Sequence, residues 1–467
     1  MADRHMTPEQ FRKRGYEVID WIADYMENVE TYRITPTVQP GAIRAMLPDH
    51  APEEPEPFEA ILRDLDAIVM PGVTHWQSPN WFAYFPANTS GPAILADLIS
   101  SGLGQQGMLW ATSPACTEVE MVVVDWLVDL LGLPQQWKTT QRGGGVIQMS
   151  ASDSTHAALV TARHRAAARH PVRSLVVYAS SQAHFSTRKG ANVAGFEHVR
   201  LIEVDERYAM RVDALEDAVA ADLAAGLVPA FVTSAVGTTG TTAVDPVRQV
   251  GEVAGKYGMW HHVDAAYAGT AMTCPEFRHH QEGLDLADSY VFNPHKWMFT
   301  NFDCSVFYVA DRTPLIDAMT MRAPYMSNAA SDAGVVIDYR DWHVPLGRRF
   351  RALKLWWVLR SYGAEGIRAV VREHVRLARE LAERIDADPR LELVAPTPFA
   401  LVSFRHLGGP APTQHLAEAL NATGRVHLTA SRIDGAPFIR VSVGQTYTEQ
   451  RHVDALWELI DELATTD

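Results

Sequence analysis

From about residue 91 to residue 310 the chain alternates helix-like and strand-like runs, and this alternation limits the fold more than any other feature. Apolar residues recur at helical spacing over 92–103, 115–131, 154–168 and 245–257, while short strand-like runs fall at 175–179, 230–235, 259–263, 289–292 and 305–309. Strands separated by helices pair mainly in parallel, because each connection must cross a face of the sheet before the next strand runs in the same direction. The expectation is an α/β protein whose mainly parallel sheet carries helices on both faces. In such sheets ligands gather beyond the carboxyl ends of the strands.

Two of these runs end on reactive side chains. Tyr290-Val291-Phe292 leads into Asn293-Pro294-His295-Lys296-Trp297, and the run 258–263 leads through His261-His262-Val263 to Asp264. A lysine kept from water at a strand end is a candidate for a Schiff base with a carbonyl cofactor. Pyridoxal phosphate (PLP) enzymes need that lysine for the aldehyde and a carboxylate for the pyridinium nitrogen. Alone, Lys296 also reads as a surface lysine and Asp264 as a capping aspartate. Together, at the ends of two strands, they read as a cofactor site.

Three weaker clusters surround this pair in the expected layout. Gly143-Gly144-Gly145 precedes Val146-Ile147-Gln148, and Ser150, Ala151 and Ser152 stand where a helix begins. Backbone N–H groups at a helix start attract a phosphate, although serine-rich caps also occur without one. Gly237-Thr238-Thr239-Gly240-Thr241-Thr242 is a similar polar turn after a strand. His184 follows the strand-like run through Ala179 by a few residues, which brings it toward the same end of the sheet.

The flanks are different in character. Residues 7–30 are amphipathic, with Phe11, Val18, Ile19, Ile22 and Tyr25 roughly on one helical face. A proline-rich connector, 36–57, and a second helix, 58–69, follow. These pieces are too short to bury their apolar faces alone, so a partner subunit is expected to cover them. Residues 348–387 are helical with a break near Gly363; strands near 391–394, 400–404 and 438–443 and a helix at 448–463 complete a smaller α+β unit. The expected division is 1–90 as an N-terminal helical segment packing across a dimer, 91–345 as the large cofactor-binding domain and 346–467 as the small C-terminal domain.

Composition removes several function classes. A formal charge of −15 argues against nucleic acid or an anionic membrane as partner. The three cysteines are odd in number and unclustered, as in a cytoplasmic protein with reduced thiols. No signal peptide or membrane-spanning run is visible, and the histidines lack metal-ligand spacing, so no metal is expected.

Longer motifs carry a resemblance. Trp76, Tyr84-Phe85-Pro86, Ser113-Pro114-Ala115-Cys116-Thr117-Glu118, His262-Val263-Asp264-Ala265-Ala266-Tyr267-Ala268-Gly269, Asn293-Pro294-His295-Lys296-Trp297, Asn301-Phe302-Asp303-Cys304 and Leu346-Gly347-Arg348-Arg349-Phe350-Arg351 stand in order along nearly the whole chain. In these the sequence resembles the group II PLP-dependent amino-acid decarboxylases, specifically the aromatic-L-amino-acid decarboxylase family. The resemblance implies the PLP-dependent transferase fold type I (aspartate aminotransferase-like), with a mainly parallel central sheet and a smaller C-terminal α+β domain. It also implies a homodimer with active sites at the interface.

By that resemblance Lys296 links to the cofactor, Asp264 meets the ring nitrogen, His184 stacks on the ring and Ala266 lies against its other face. Ser150, Ala151, Ser152, Asn293 and His295 would hold the phosphate, with Thr239 near Lys296. Trp76, Tyr84, Phe85 and Pro86 would line the pocket for an aromatic L-amino acid. Tyr325 would donate the proton that makes the product an amine. Gly347 matches a position where glycine accompanies indolic substrates, which favours tryptophan over phenylalanine, tyrosine or dopa; it reads equally as a turn glycine. Ala87 and Phe185 depart from the animal pattern, where threonine and serine are usual, and both touch the substrate side. The alternatives that stay open are an aromatic acetaldehyde synthase, a group II decarboxylase for another L-amino acid, a fold-type-I aminotransferase, and a PLP-binding scaffold without turnover.

Overall fold

The computed structural model describes residues 5–321 and 329–464. Seven strands form the central sheet: β1 (Gly144–Gln148), β2 (Leu175–Ser180), β3 (His198–Ile202), β4 (Val228–Ala235), β5 (Trp260–Asp264), β6 (Ser289–Phe292) and β7 (Ser305–Val309). Their spatial order is β1-β7-β6-β5-β4-β2-β3. All neighbours from β6 to β3 are parallel, whereas β7 runs antiparallel to both β6 and β1. Six strands therefore share one direction, as the alternation of helices and strands requires.

Both faces of this sheet are covered, and that is why its strands read as unbroken apolar runs. Successive side chains of β4 show the division: Phe231 packs with Val177, Leu159 and Val291, while Val232 packs with Tyr178, Val219 and Val250. Helix Ala151–Ala167 covers the first face and helices Val212–Ala224 and Val247–Tyr257 the second. Helix Pro114–Leu131, capped by Ser113 accepting from Cys116 N, buries Val123, Val124 and Leu127 in the largest apolar cluster.

A second sheet of four antiparallel strands lies C-terminal, in the order β10-β11-β9-β8: β8 (Leu391–Leu393), β9 (Leu401–His406), β10 (Thr429–Ile433) and β11 (Ala436–Ser442). The long helix Arg351–Ala387 leads into it and breaks at Gly363, whose φ of 64° is one that side chains resist. Phe404, Ile439 and Leu456 of this unit share one apolar cluster with Val123 and Tyr290 of the large one. The stretch before residue 90 is joined to it as well. Trp81 bridges to His427, Ser442 N donates to Phe82 O at 2.8 Å, and Tyr84 N donates to Thr429 Oγ1 at 2.6 Å.

Helix Pro8–Asn28 starts in a reciprocal cap, with Thr7 Oγ1 accepting from Gln10 N and Gln10 Oε1 accepting from Thr7 N. It buries no residue within this chain, and Phe11 and Tyr16 stand 61% and 65% exposed. The 36–57 connector is irregular, with turns and bends, and holds one short helix, Ala42–Met46. Among the described residues no helix is long and apolar enough to cross a membrane.

Candidate active site

The segments that follow β1, β2, β4, β5 and β6 converge at one end of the sheet, since these five strands point the same way. They enclose a cavity of about 230 Å3, lined by Ser150, Ala151 and Ser152, by His184, by Gly237 to Thr239, by Asp264 and Ala266, and by Asn293, His295 and Lys296. Every cofactor residue expected from the sequence lies in this lining. Phe85 and Tyr267 close another side.

Lys296 sits on a short helical turn, Pro294–Trp297, directly after β6. Burial lowers its pKa; Asp264 opposes the shift and the Arg440 cation adds to it. Its Nζ lies 5.1 Å from the centroid of the Phe85 ring. Asp264 ends β5, next to β6, and its Oδ1 accepts from Ala266 N at 3.0 Å. A lysine whose charged form is disfavoured, beside a carboxylate anchored to the backbone, suits nucleophilic attack on a carbonyl.

The opposite wall is built for an anion. Ser150 caps the 17-residue helix Ala151–Ala167, and its hydroxyl donates to Asp153 Oδ2 at 2.9 Å. Asp153 N and Ser154 N donate back to Ser150, so the N–H groups of Ala151 and Ser152 remain for a ligand at the positive end of the helix. His295 accepts from Cys304 N at 2.9 Å through Nδ1, so its neutral ring carries the proton on Nε2. Burial, then the neighbouring Lys296 charge, push its pKa down to about 3. Among the described residues Asn293 Oδ1 is buried without a partner in the same wall; its amide Nδ2, not this oxygen, is the group that can donate to an anion.

His184 lies between these groups. Its Nδ1 is 2.8 Å from Ser186 Oγ and accepts from Ser186 N at 3.3 Å, so the neutral ring carries its hydrogen on Nε2. Burial lowers its pKa, against the pull of Asp264 and with the push of Lys296. Gly237, at φ 86°, turns the chain beneath the cavity where a Cβ would strike Ala268 Cβ at 2.8 Å. Only glycine suits that turn.

The remaining expected residues are placed differently. Of Trp76, Tyr84, Phe85 and Pro86, only Phe85 lines this cavity; Trp76 stacks with Tyr84 and lies tilted against Trp81. Tyr84 is held at φ 54° and is half exposed. Gly347 is not in the lining, and its φ is not in the left-handed region, so backbone angles do not demand glycine there. A Cβ on it would lie 3.3 Å from Gln106 Nε2. Tyr325 lies outside the described residues.

Sequence reasoning missed Arg440. This side chain of β11 is 2% exposed, has its guanidinium 5.2 Å from the Phe85 ring, and donates to Gly240 O and Tyr84 O. Among the described residues it has no carboxylate partner, and burial pushes its pKa down to about 10. The signal was available: a cation between Ile439 and Val441 in an otherwise apolar strand.

An enclosed lysine, a fixed carboxylate, an imidazole and a helix N-terminus around one cavity match what PLP needs at its aldehyde, ring nitrogen, ring face and phosphate. The comparisons agree with that chemistry. The family model described as "Pyridoxal-dependent decarboxylase conserved domain" matches residues 40–407. Phenylacetaldehyde synthase of Arabidopsis thaliana is 43% identical over 98% of this chain and 97% of its own, and tryptophan decarboxylase 2 of Oryza sativa subsp. japonica is 42% identical over 99% and 96%. The crystal structure of Oryza sativa TDC with PLP and tryptamine superposes with a TM-score of 0.96 at 38% identity, covering 98% of both chains.

Proposed function

The chain belongs to the pyridoxal-dependent decarboxylase family, and from that premise we propose that it converts an aromatic L-amino acid into its arylalkylamine and CO2. Tryptophan is the favoured substrate, with phenylalanine, tyrosine and dopa as further ones. One observation carries the reading: Asp264 ends β5, Lys296 lies in the turn after the adjacent parallel β6, and both line one cavity with the helix N-terminus at Ala151.

Bound PLP supplies an electron sink for the pair released when the bond from Cα to the carboxylate breaks. The chain's own residues do the rest. Lys296 would hold the cofactor through its Nζ, and its lowered pKa favours the neutral amine needed for that bond. Asp264 holds the proton on the ring nitrogen. Ala151 and Ser152 N–H, with Asn293 and His295, hold the phosphate. His184 and Ala266 would hold the cofactor ring, and Thr239 lines the same cavity as Lys296. Trp76, Tyr84, Phe85, Pro86 and Gly347 shape the substrate pocket, and Tyr325 returns a proton to the substrate's α-carbon once CO2 has left.

A homodimer is part of the proposal. Phe11 and Tyr16 on helix Pro8–Asn28, and Leu95, Leu98 and Leu103 on helix Gly91–Leu103, are large apolar groups standing exposed. A second copy covering them supports interface active sites and the three-part division of the chain. Three buried, unpaired cysteines favour the cytoplasm.

A second reading has its own support: the relative named phenylacetaldehyde synthase is as similar as the decarboxylases. The test measures CO2, amine and hydrogen peroxide with tryptophan, tyrosine, phenylalanine, dopa, histidine and glutamate. Amine and CO2 in equal amounts from the aromatic substrates support decarboxylation. Peroxide in step with CO2 selects the synthase, and turnover confined to histidine or glutamate overturns the substrate class.

A further inference from the structure

We propose that His374, 78 positions beyond the candidate cofactor lysine, is a positioning residue for Lys296: by accepting the indole N–H of Trp297 it anchors a stack of rings that holds the lysine at both ends. The inference rests on the reading of Lys296 given above.

The stack runs from the cavity into the core. Phe85 lies 3.9 Å from Tyr267 with ring planes 13° apart, and Tyr267 lies 4.8 Å from Trp297 at 12°. Trp297 Nε1 donates to His374 Nδ1 at 2.9 Å, with those planes 9° apart. Trp297 follows Lys296 in the same short turn, so fixing the indole fixes the lysine's backbone. Phe85, at the other end of the stack, lies under the lysine's Nζ. A flexible four-carbon side chain is thus gripped at root and tip by one set of rings.

Among the described residues His374 is the acceptor of the Trp297 indole N–H, the hydrogen bond that ties this ring to the core. It comes from helix Arg351–Ala387 and is wholly buried. Because Trp297 donates to Nδ1, the ring is neutral with its hydrogen on Nε2. Burial favours the same state, since it holds the His374 pKa down to about 4. Removing the acceptor leaves a buried indole N–H unpaired, and the indole then turns to find another partner. Trp297 and Tyr267 shift together, Phe85 follows, and water reaches Nζ.

The experiment titrates Lys296 in the cofactor-free full-length chain, by the pH dependence of its acetylation read from peptide masses. His374→Leu is expected to raise that midpoint by about one unit, a roughly tenfold loss of neutral amine at a given pH. In the holoenzyme kcat falls about as much while KM holds. His374→Gln, whose amide oxygen can accept the indole N–H, restores most of both. A role in packing alone would lower Tm and leave the midpoint unmoved, and that result in folded His374→Leu overturns the proposal. Should His374→Leu not fold, His374→Phe keeps a ring at that position but cannot accept the indole N–H. It should show the same shift, and an unmoved midpoint there is equally decisive against the proposal. The underlying reading fails separately, if borohydride reduction of the unaltered holoenzyme fixes the cofactor to a different lysine.

Discussion

Arg348 Nη2 lies 2.6 Å from Glu120 Oε1, and the two side chains are 1% and 2% exposed. The same Glu120 oxygen accepts from Ile147 N at 2.7 Å, and Arg348 Nη2 also donates to Ile147 O at 3.0 Å. The pair thereby clamps β1 just before Ser150. Removing one partner strands a buried charge, which costs about 3–5 kcal/mol. Glu120→Ala should lower unfolding stability by that amount and weaken PLP binding, as denaturant titration and cofactor fluorescence would read. A loss below about 1 kcal/mol would mean that water reaches Arg348.

Acid should unfold this protein early. Burial holds His261 at about 3 and His262 and His374 at about 4, from an ordinary value of 6.5. Between pH 6.5 and 4 the unfolded chain binds protons at these three rings and the native one does not. Each therefore lowers stability by about 1.4 kcal/mol per pH unit over that window. Asp245 works the other way: burial raises it to about 6, so below pH 6 the native state binds the extra proton. The histidines outnumber it. Denaturant midpoints of the cofactor-free protein should fall steadily from pH 7 to 5, and a flat profile would contradict the burial of these rings.

Borohydride reduction of the holoenzyme, followed by peptide mapping, should place the cofactor on Lys296. Lys256 is engaged with Glu216 on the exposed surface and Lys189 lies outside the cavity lining. Label recovered on either would remove Lys296 from the mechanism.

Tyr325→Phe should lose amine formation and gain aldehyde and hydrogen peroxide in the presence of oxygen. The tyrosine hydroxyl is the proposed source of the proton at the α-carbon. Chromatography of products from one substrate, with a coupled peroxide assay, reads both arms. Amine output equal to that of the unaltered enzyme would exclude Tyr325 as donor.

Gly347→Ser should lower the ratio of tryptophan to tyrosine turnover, by roughly tenfold if the serine occupies indole space, since a methylene-sized change is worth about 1–3 kcal/mol. The glycine is not demanded by its backbone angles, and among the described residues a new Cβ meets only Gln106 within 4 Å. Folding should therefore survive the change. An unaltered ratio at unchanged Tm would withdraw the indole assignment.

The sheet was legible because its strands are buried on both faces and its helices are long and periodic. β3 escaped notice: it is an edge strand, and His198 and Arg200 break the apolar run. β10 escaped because Thr429, Ser431 and Arg432 leave little alternation to read. At the site, residues adjacent to a strand end were found, since the motif carries its own position. Arg440, Tyr267 and His374 were not, because their nearness to Lys296 depends on tertiary contacts across 144, 29 and 78 positions that no local motif records. Trp76 and Tyr84 were assigned to the pocket by resemblance, yet in one chain they stack beside the cavity and leave Phe85 to line it.

The wall that carries Phe85 also sets a timetable. Tyr84 N reaches its partner on β10 across 345 residues, and its carbonyl waits for Arg440 on β11. At about 5–20 residues per second, that separation is roughly 17–70 s of translation. Until then Asp264 and Lys296 have long emerged but face an open trough, with no ring beneath the amine and no second cation beside it. A nascent chain thus presents its cofactor lysine hydrated and protonated, and becomes competent to take up cofactor only when the last strands have joined an N-terminal stretch made at the outset. Completion of the cavity wall is thus gated by the joining of Tyr84 to β10 and β11.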